Sequence, residues 1–476
     1  MYNDTNLIID CILMYQFFLA CVLLSPLPFG ANRAWSWSLF AVLFAICGII
    51  FFIQVLFGQR TLHLSYKSVL GAGLLWCIPC LWMLVQSADV MPETWAHPFW
   101  KLTAETIALP VVSHISVDPN ATYTALMRLM SYALVFGLSL QFNRESDKAQ
   151  QTFKALAYAG FVYALYGIIV CIGQFDTILW FDKWVGQGVV TSTFVYRNAY
   201  ATFAGLSLLA AMPLLFEAFK LSLKFGLSTN YGREYFYEKL LIKGWFPLLM
   251  LLTVFSALLM SQSRGGFLST LVGIISLLTV LLLSHKVPQK KGLGLFVLAL
   301  SVLAWLIFSR SFDILIDRLD ALDVESKGRE SVYTLLSHIS SEQNHLGMGY
   351  GTFENSFRIY RDETIDGFYD KAHNTYLENI FELGHYQAYA LFASILWLAL
   401  ICLRGVWVRR RNWLYPALGV AASMLVGAHA FVDFSLQIPA IAYTYALMLG
   451  AAVAQSYPSI NSGRTAGHSD QTTGQS

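Results

Sequence analysis

The stretch that decides the fold is Trp245–Leu283, WFPLLMLLTVFSALLMSQSRGGFLSTLVGIISLLTVLLL. Two apolar runs, Trp245–Met260 and Phe267–Leu283, flank the small and polar residues Ser261–Gly266. Neither run carries a charge, and each is close to the roughly 20 residues that take a helix across a bilayer. Inside lipid every backbone polar group has to be satisfied within the segment, which a helix does. The stretch therefore reads as two membrane helices joined by a very short turn.

Working outward, ten further runs follow the same pattern: Ile8–Leu27, Trp37–Phe57, Ser68–Val85, Tyr123–Leu140, Ala155–Ile172, Ala199–Phe216, Leu293–Phe308, Tyr389–Leu403, Leu414–Ala430 and Ala440–Ala454. The expected fold is an all-α polytopic membrane protein of about 12 transmembrane helices. Its first run lacks a basic leader and meets Pro26 and Pro28 instead of a small-residue cleavage site, so it reads as a retained helix. Lysine and arginine concentrate in alternate loops. These hold Arg60 and Lys67; Arg144, Lys148 and Lys154; Lys220, Lys224, Arg233, Lys239 and Lys243; Lys286, Lys290 and Lys291; and Arg404, Arg409, Arg410 and Arg411. The positive-inside bias makes those loops cytoplasmic. The outer side then receives the turn Pro26–Trp35, residues 86–122 and 174–198, the turn Ser261–Gly266, residues 309–388 and the stretch His429–Pro439. Segments 86–122 and 309–388 are too long for simple connections and are expected to form an outer, periplasmic cap of short helices.

Three regions follow. Residues 1–244 hold the first six helices with outer loops 86–122 and 174–198, residues 245–455 hold the rest with loop 309–388, and the Ser-, Gly-, Thr- and Gln-rich tail 456–476 reads as disordered and cytoplasmic. The composition, 56% hydrophobic and 13% charged with a formal charge of +2, gives no basic footprint for a nucleic-acid partner. All seven cysteines fall in apolar runs, where they act as small hydrophobes, so neither a disulfide framework nor a metal site is expected.

The polar chemistry gathers at the expected outer face. Arg264 in an outer turn runs against the charge bias, and Gly265-Gly266 beside it lets backbone N–H groups approach an anion. It reads either as a phosphate ligand or as an arginine snorkelling to lipid headgroups, and Arg197 beside Asn198 allows the same two readings. In Ala372-His373-Asn374-Thr375, the run from Thr375 to Glu378 has capping-box spacing and places His373 just outside a helix N-terminus. The partial positive charge there disfavours imidazolium, which suits a general base.

Glu378 and Glu382, one turn apart, read as orienting or solvated carboxylates, not as an acid/base pair across a sugar. Gly347, Gly349 and Gly351 read as a surface turn in preference to an anion nest. His429 and Asp433 form a supporting hydrogen-bonded pair if their helix continues. Arg128 is the main ionisable residue inside a span, and that scarcity weighs against the rival reading, a transporter, whose binding groups lie at the bilayer midplane. A noncatalytic scaffold is the third reading.

At Ser261-Gln-Ser-Arg264-Gly-Gly266, Gly347-Met-Gly-Tyr-Gly-Thr-Phe353, Ala372-His373-Asn374-Thr-Tyr-Leu377 and Glu382-Leu-Gly384 the chain resembles the O-antigen ligase and polymerase superfamily. Pro26-Leu-Pro-Phe-Gly30, Thr193-Phe-Val-Tyr-Arg197-Asn198 and Asp433-Phe-Ser-Leu-Gln-Ile-Pro439 extend the resemblance, which is looser before Arg197. The resemblance makes 245–455 the ligase-like region and implies a GT-C-like membrane glycosyltransferase of cell-surface polysaccharide and lipopolysaccharide biosynthesis, at the periplasmic face of the inner membrane. It implies an undecaprenyl diphosphate-linked glycan donor and, as acceptor, lipid A core for a ligase or a second lipid-linked unit for a polymerase. It implies no cofactor and no metal. Carried over, Arg264 and Arg197 hold the diphosphate and His373 activates the acceptor, with Asn198, Ser263, Gly265, Gly266, Asn374, Glu378, Glu382, His429 and Asp433 in support.

Overall fold

A computed structural model describes residues 4–62, 65–89, 92–225, 244–284, 319–342, 345–361 and 368–458, with positions 234, 238, 242, 286 and 365 between them. In chain order the helices are α1 Asp4–Leu24, α2 Ala34–Leu56, α3 Leu70–Gln86, α4 Pro98–Ile107, α5 Pro119–Phe142, α6 Ser146–Ile172, α7 Arg197–Phe225 and α8 Trp245–Met260. They continue as α9 Arg264–Leu283, α10 Leu319–Glu342, α11 Phe353–Tyr360, α12 Thr375–Leu383, α13 His385–Val408, α14 Leu414–His429 and α15 Pro439–Gln455. Among the described residues the strands are the antiparallel pair β1 Thr177–Ile178 and β2 Phe181–Asp182.

Among the described residues seven helices are long and apolar enough to cross a membrane: Ala34–Leu56, Tyr66–Gln86, Pro119–Phe142, Ser146–Ile172, Arg197–Glu217, Arg264–Leu283 and His385–Val408. The helices α8, α14 and α15 have 16, 16 and 17 residues. At 1.5 Å per residue they reach about 25 Å, short of a bilayer core of about 30 Å. For α15 the reason is position, since all its residues are buried, and it runs down the centre of the bundle against α5, α13 and α14. A helix surrounded by helices has no lipid thickness to match. Small residues let its neighbours close in: a Cβ on Gly419 of α14 would lie 2.5 Å from Ala452 Cβ. The predicted helix Leu293–Phe308 and residues 459–476 of the predicted tail lie outside the described residues.

All six segments assigned by sequence to the outer side meet at one end of the bundle. Thr193 Oγ1 donates to Pro26 O (2.7 Å), and Gln86 Nε2 donates to Leu346 O and Glu382 O (2.9 Å each). Ser263 Oγ donates to Asn198 Oδ1 (2.7 Å) and Thr375 Oγ1 to Asp433 O (2.8 Å). The basic loops meet at the opposite end, where Tyr457 Oη reaches Ser68 O (2.9 Å), Asn412 Nδ2 reaches Ser146 Oγ (2.7 Å) and Lys286 Nζ reaches Arg409 O (3.1 Å). Over the first end, α10, α11 and α12 form a separate small core from Val332, Leu336, Ile339, Met348, Phe353, Phe357 and Phe381.

Candidate active site

Three helix N-termini converge at that end. The hairpin between α8 and α9 is three residues, with Gln262 in a left-handed conformation (φ 53°). Ser263 caps α9, its Oγ accepting the N–H of Gly266 (3.2 Å) while donating to Asn198 Oδ1. Asn198 is the second residue of α7, so this one contact fixes the start of α9 against the start of α7. The approach needs glycine at 266, where a Cβ would lie 2.3 Å from Ala201 Cβ. Arg264 and Arg197 are the first residues of α9 and α7; both are exposed and without an acidic partner among the described residues. Two free guanidinium forks thus stand beside two helix N-termini, an arrangement suited to a phosphorylated group.

The third N-terminus is α12. Its N-cap is Asn374, whose Oδ1 accepts the N–H groups of Tyr376 and Leu377 (3.1 Å each). This corrects the expected capping box. Thr375 is the first helical residue, and its hydroxyl is spent on Asp433 O. Glu378 reaches further back, to the N–H of Ala372 (2.9 Å). Asparagine is as good an N-cap as threonine, and here Asp433 competes for the Thr375 hydroxyl.

His373 immediately precedes the cap, with φ 53°, a left-handed backbone that a non-glycine residue adopts at a cost of about 1–3 kcal/mol. Tyr333 Oη donates to its carbonyl (2.9 Å) and its ring packs edge-on against Phe434 (4.9 Å), holding the outlier in place. Nδ1 lies 3.4 Å from Asp433 Oδ1, an ion-pair distance without hydrogen-bond alignment. Asp433 is buried and well supplied, with Asn198 Nδ2 donating to Oδ1 (3.2 Å) and Ser435 Oγ to Oδ2 (2.5 Å). Burial opposes its charge, but His373, His429 and Ser435 outweigh burial and hold its carboxyl below the ordinary aspartate value. An ionised Asp433 beside Nδ1 favours the proton there, leaving the Nε2 lone pair of His373 to accept another.

His429 belongs to the same network. The helix does not continue past it: α14 ends at His429, and Asp433 lies in the following loop. The expected direct pair is therefore relayed, with Ser435 Oγ 3.3 Å from His429 Nδ1 and hydrogen-bonded to Asp433, while Thr202 Oγ1 sits 2.6 Å from the same nitrogen. Gly265 lies against this ring, where a Cβ would be 3.2 Å from His429 Nε2.

Glu378 and Glu382 are fully buried, which removes the solvated reading and leaves the orienting one. Glu378 Oε1 accepts from Lys371 Nζ (3.3 Å), and Glu382 Oε1 accepts the N–H of Phe353 (2.8 Å). Burial first, then Glu378, pushes the Glu382 carboxyl up to about 8. Burial also opposes the charge on Lys371, but Glu378 and Glu382 outweigh it and raise its ammonium above the ordinary lysine value. The glycine run is exposed only at Gly351, so the surface-turn reading fails for its first two glycines. Gly347 and Gly349 are buried with φ 76° and 99°, and the N–H groups of Met348 and Gly349 are used by Phe381 O (3.1 Å) and Glu382 O (3.0 Å).

Sequence reasoning missed Thr202, Ser435, Tyr333 and Lys371. Thr202 lies four residues after Asn198, on the same helix face, a spacing that could have flagged it. Nothing in the sequence ties Tyr333 to His373. Among the described residues no group of three or more His, Cys, Asp or Glu side chains could hold a metal ion.

No curated protein matches the chain. Residues 249–385 match the family described as O-antigen ligase. The matched segment takes in Ser263, Arg264, Gly265, Gly266, His373, Asn374, Glu378 and Glu382, while Arg197, Asn198, His429 and Asp433 reach the same place from outside it. Through residues 249–385 the chain is similar to the O-antigen ligase family.

Proposed function

We propose that the protein is a membrane glycosyltransferase that moves a glycan from an undecaprenyl diphosphate carrier to an acceptor hydroxyl at the periplasmic face. The observation that carries this reading is the meeting of exposed Arg197 and Arg264 with the His373–Asp433 pair through the Ser263–Asn198–Asp433 hydrogen bonds. The acceptor oxygen attacks the anomeric carbon, the bond from that carbon to the diphosphate oxygen breaks, and the acceptor proton passes to His373 Nε2. Asp433 stabilises the imidazolium that results. Charge grows on the departing diphosphate, where Arg197, Arg264 and the N-termini of α7 and α9 act most strongly.

The test is turnover of an undecaprenyl diphosphate-linked glycan by purified protein, offered lipid A core or a second lipid-linked unit. Product on lipid A core identifies a ligase, and a ladder of lengthening carrier-linked chains identifies a polymerase. His373→Ala should lose about 10²–10⁴ in rate, the usual worth of a general base. Arg264→Lys keeps the charge but loses the fork and should turn over clearly more slowly. A wild-type rate in folded His373→Ala would end the general-base role, and an unchanged Arg264→Lys would return that residue to snorkelling. Because solubilised protein has no sealed compartment, turnover in detergent also separates catalysis from transport.

A further inference from the structure

A cavity of about 1460 Å³ lies between α3, α5, α13, α14 and α15, on the far side of α14 from the arginines. Neither Arg197, Arg264 nor His373 lines it. α14 gives Ala428 and its neighbour Phe431 to the cavity and His429 to the buried network, so the two compartments share a wall. Thr375 touches both, lining the cavity while its hydroxyl holds Asp433 O.

Along α13 the lining runs from Tyr389 to Leu403, which at 1.5 Å per residue is about 21 Å of helix. Most of that length is walled by apolar side chains such as Trp76, Leu129 and Leu398. Two cavity glycines, Gly73 and Gly137, have nothing within 4 Å of where a Cβ would sit. The space opens to the side of the bundle, where its lining residues Leu396, Leu400 and Met424 are exposed, and an apolar wall of this length fits an occupant with a long hydrocarbon chain.

At the site end the lining turns polar, with Arg128, Lys371, Asn379 and Glu382. Asn379 is 4% exposed and its Oδ1 has no hydrogen-bond partner, and Arg128 Nε is likewise unpartnered. Arg128 stacks over the Trp37 ring at 5.1 Å and has no acidic partner among the described residues. Lys371 pairs with Glu378 and Glu382 accepts the N–H of Phe353. The polar end therefore presents an unpaired guanidinium, that of Arg128, next to an unsatisfied amide.

We propose that this chamber is the acceptor-lipid site, taking a phosphorylated amphiphile with its hydrocarbon along α3 and α13 and its head group on Arg128, Lys371 and Asn379. The assignment rests on the glycosyltransferase reading, and it places donor and acceptor on opposite sides of α14, which ends at His429. Both acceptors considered above, lipid A core and a second lipid-linked unit, have this chemistry.

The experiment uses purified full-length protein and a phosphatidic acid with a diazirine in its acyl chain as probe. Labelled peptides from α3 and α13 are expected, with labelling lowered at least tenfold by Arg128→Gln and by Gly137→Phe. The second variant fills open space and leaves every polar group in place, so it guards against a folding defect in the first. Excess acceptor lipid should displace the probe. Displacement by the undecaprenyl diphosphate-linked donor but not the acceptor, displacement by any phospholipid equally, or no labelling of these helices would each overturn the assignment. In turnover, Gly137→Phe should raise the acceptor KM at least tenfold and leave the donor KM unchanged; equal effects on both would also overturn it. Absence of all turnover with acceptor-displaceable labelling intact would count against the glycosyltransferase reading while leaving the chamber as a lipid site.

Discussion

His373 carries a strained backbone, a ring braced by Phe434 and a carboxylate beside Nδ1, all outside the reach of sequence spacing alone. Asp433 beside Nδ1 orients the ring. Asp433→Asn keeps the shape and one acceptor oxygen, for Asn198 or for Ser435, but removes the charge. Turnover should fall by roughly 10²–10⁴, as when a base loses its orienting carboxylate. The same substitution has a stability signature. The folded protein holds the Asp433 carboxyl below its ordinary value, so its contribution is fully present above about pH 4 and is lost as pH falls through the lowered folded value. The wild-type unfolding midpoint in detergent should therefore drop on acidification below about pH 4 more steeply than that of Asp433→Asn. Parallel curves would mean that the carboxylate is not held by its neighbours.

At the scale of elements, the site depends on how closely helix ends approach. Gly266→Leu would drive a side chain into Ala201, whose Cβ already lies 2.3 Å from the position of a Cβ at 266, and would pry α9 from α7. Ser263 would then lose Asn198, and turnover should fall about 10²-fold, the usual result of an ångström-scale misplacement, with His373, Arg197 and Arg264 all present. A wild-type rate would show that the two N-termini need not touch. The helix α12 gives a second prediction. Glu382 is raised to about 8 from an ordinary 4.5, so the fold favours its protonated form and stability is lost as pH rises from about 4.5 through 8. Glu382→Gln keeps an acceptor for the Phe353 N–H and should flatten that loss, giving a higher unfolding midpoint than wild type at pH 9 and little difference at pH 5. These elements also show what the sequence made legible. Apolar runs announced the long helices, and the grouping of their ends followed from the lysines and arginines. The cap of α12 was read one residue late because Thr375 and Asn374 are both cap formers and only tertiary contact with Asp433 assigns the hydroxyl. The apolar run Leu414–Ala430 put the end of α14 within one residue of His429, and only the extension needed for a direct His429–Asp433 pair failed. The glycine run misled because a turn pressed against Glu382 O has the same composition as one facing solvent.

In the whole molecule, the site depends on interleaved halves. Helix α15, from the C-terminal part, is enclosed by α5 of the N-terminal part, and α13 lies along α3, so residues far apart in sequence are brought to one end together. Apolar association supplies no driving force between helices within lipid, and the close fit of small residues along α14 and α15 takes its place. That central position explains why α14 and α15 are shorter than a bilayer crossing; it does not explain α8, which has 16 residues and keeps an exposed apolar face. The two ends differ in charge as the positive-inside bias requires, with Arg60, Arg144, Lys148, Arg409 and Lys286 at the end away from His373. A carrier-linked glycan would meet the arginines only if the His373 end faces the periplasm. Gln262, exposed in the turn before Arg264, and Gln59, exposed in the first basic loop, report on the two ends separately. With Cys77 and Cys171 replaced by serine, Gln262→Cys should react with a membrane-impermeant maleimide in cells whose outer membrane alone is permeabilised. Gln59→Cys should react only after the inner membrane is opened as well. The reverse pattern would put both guanidinium forks on the side of the membrane where the basic loops are expected, and the proposed transfer at the periplasmic face would fail with it.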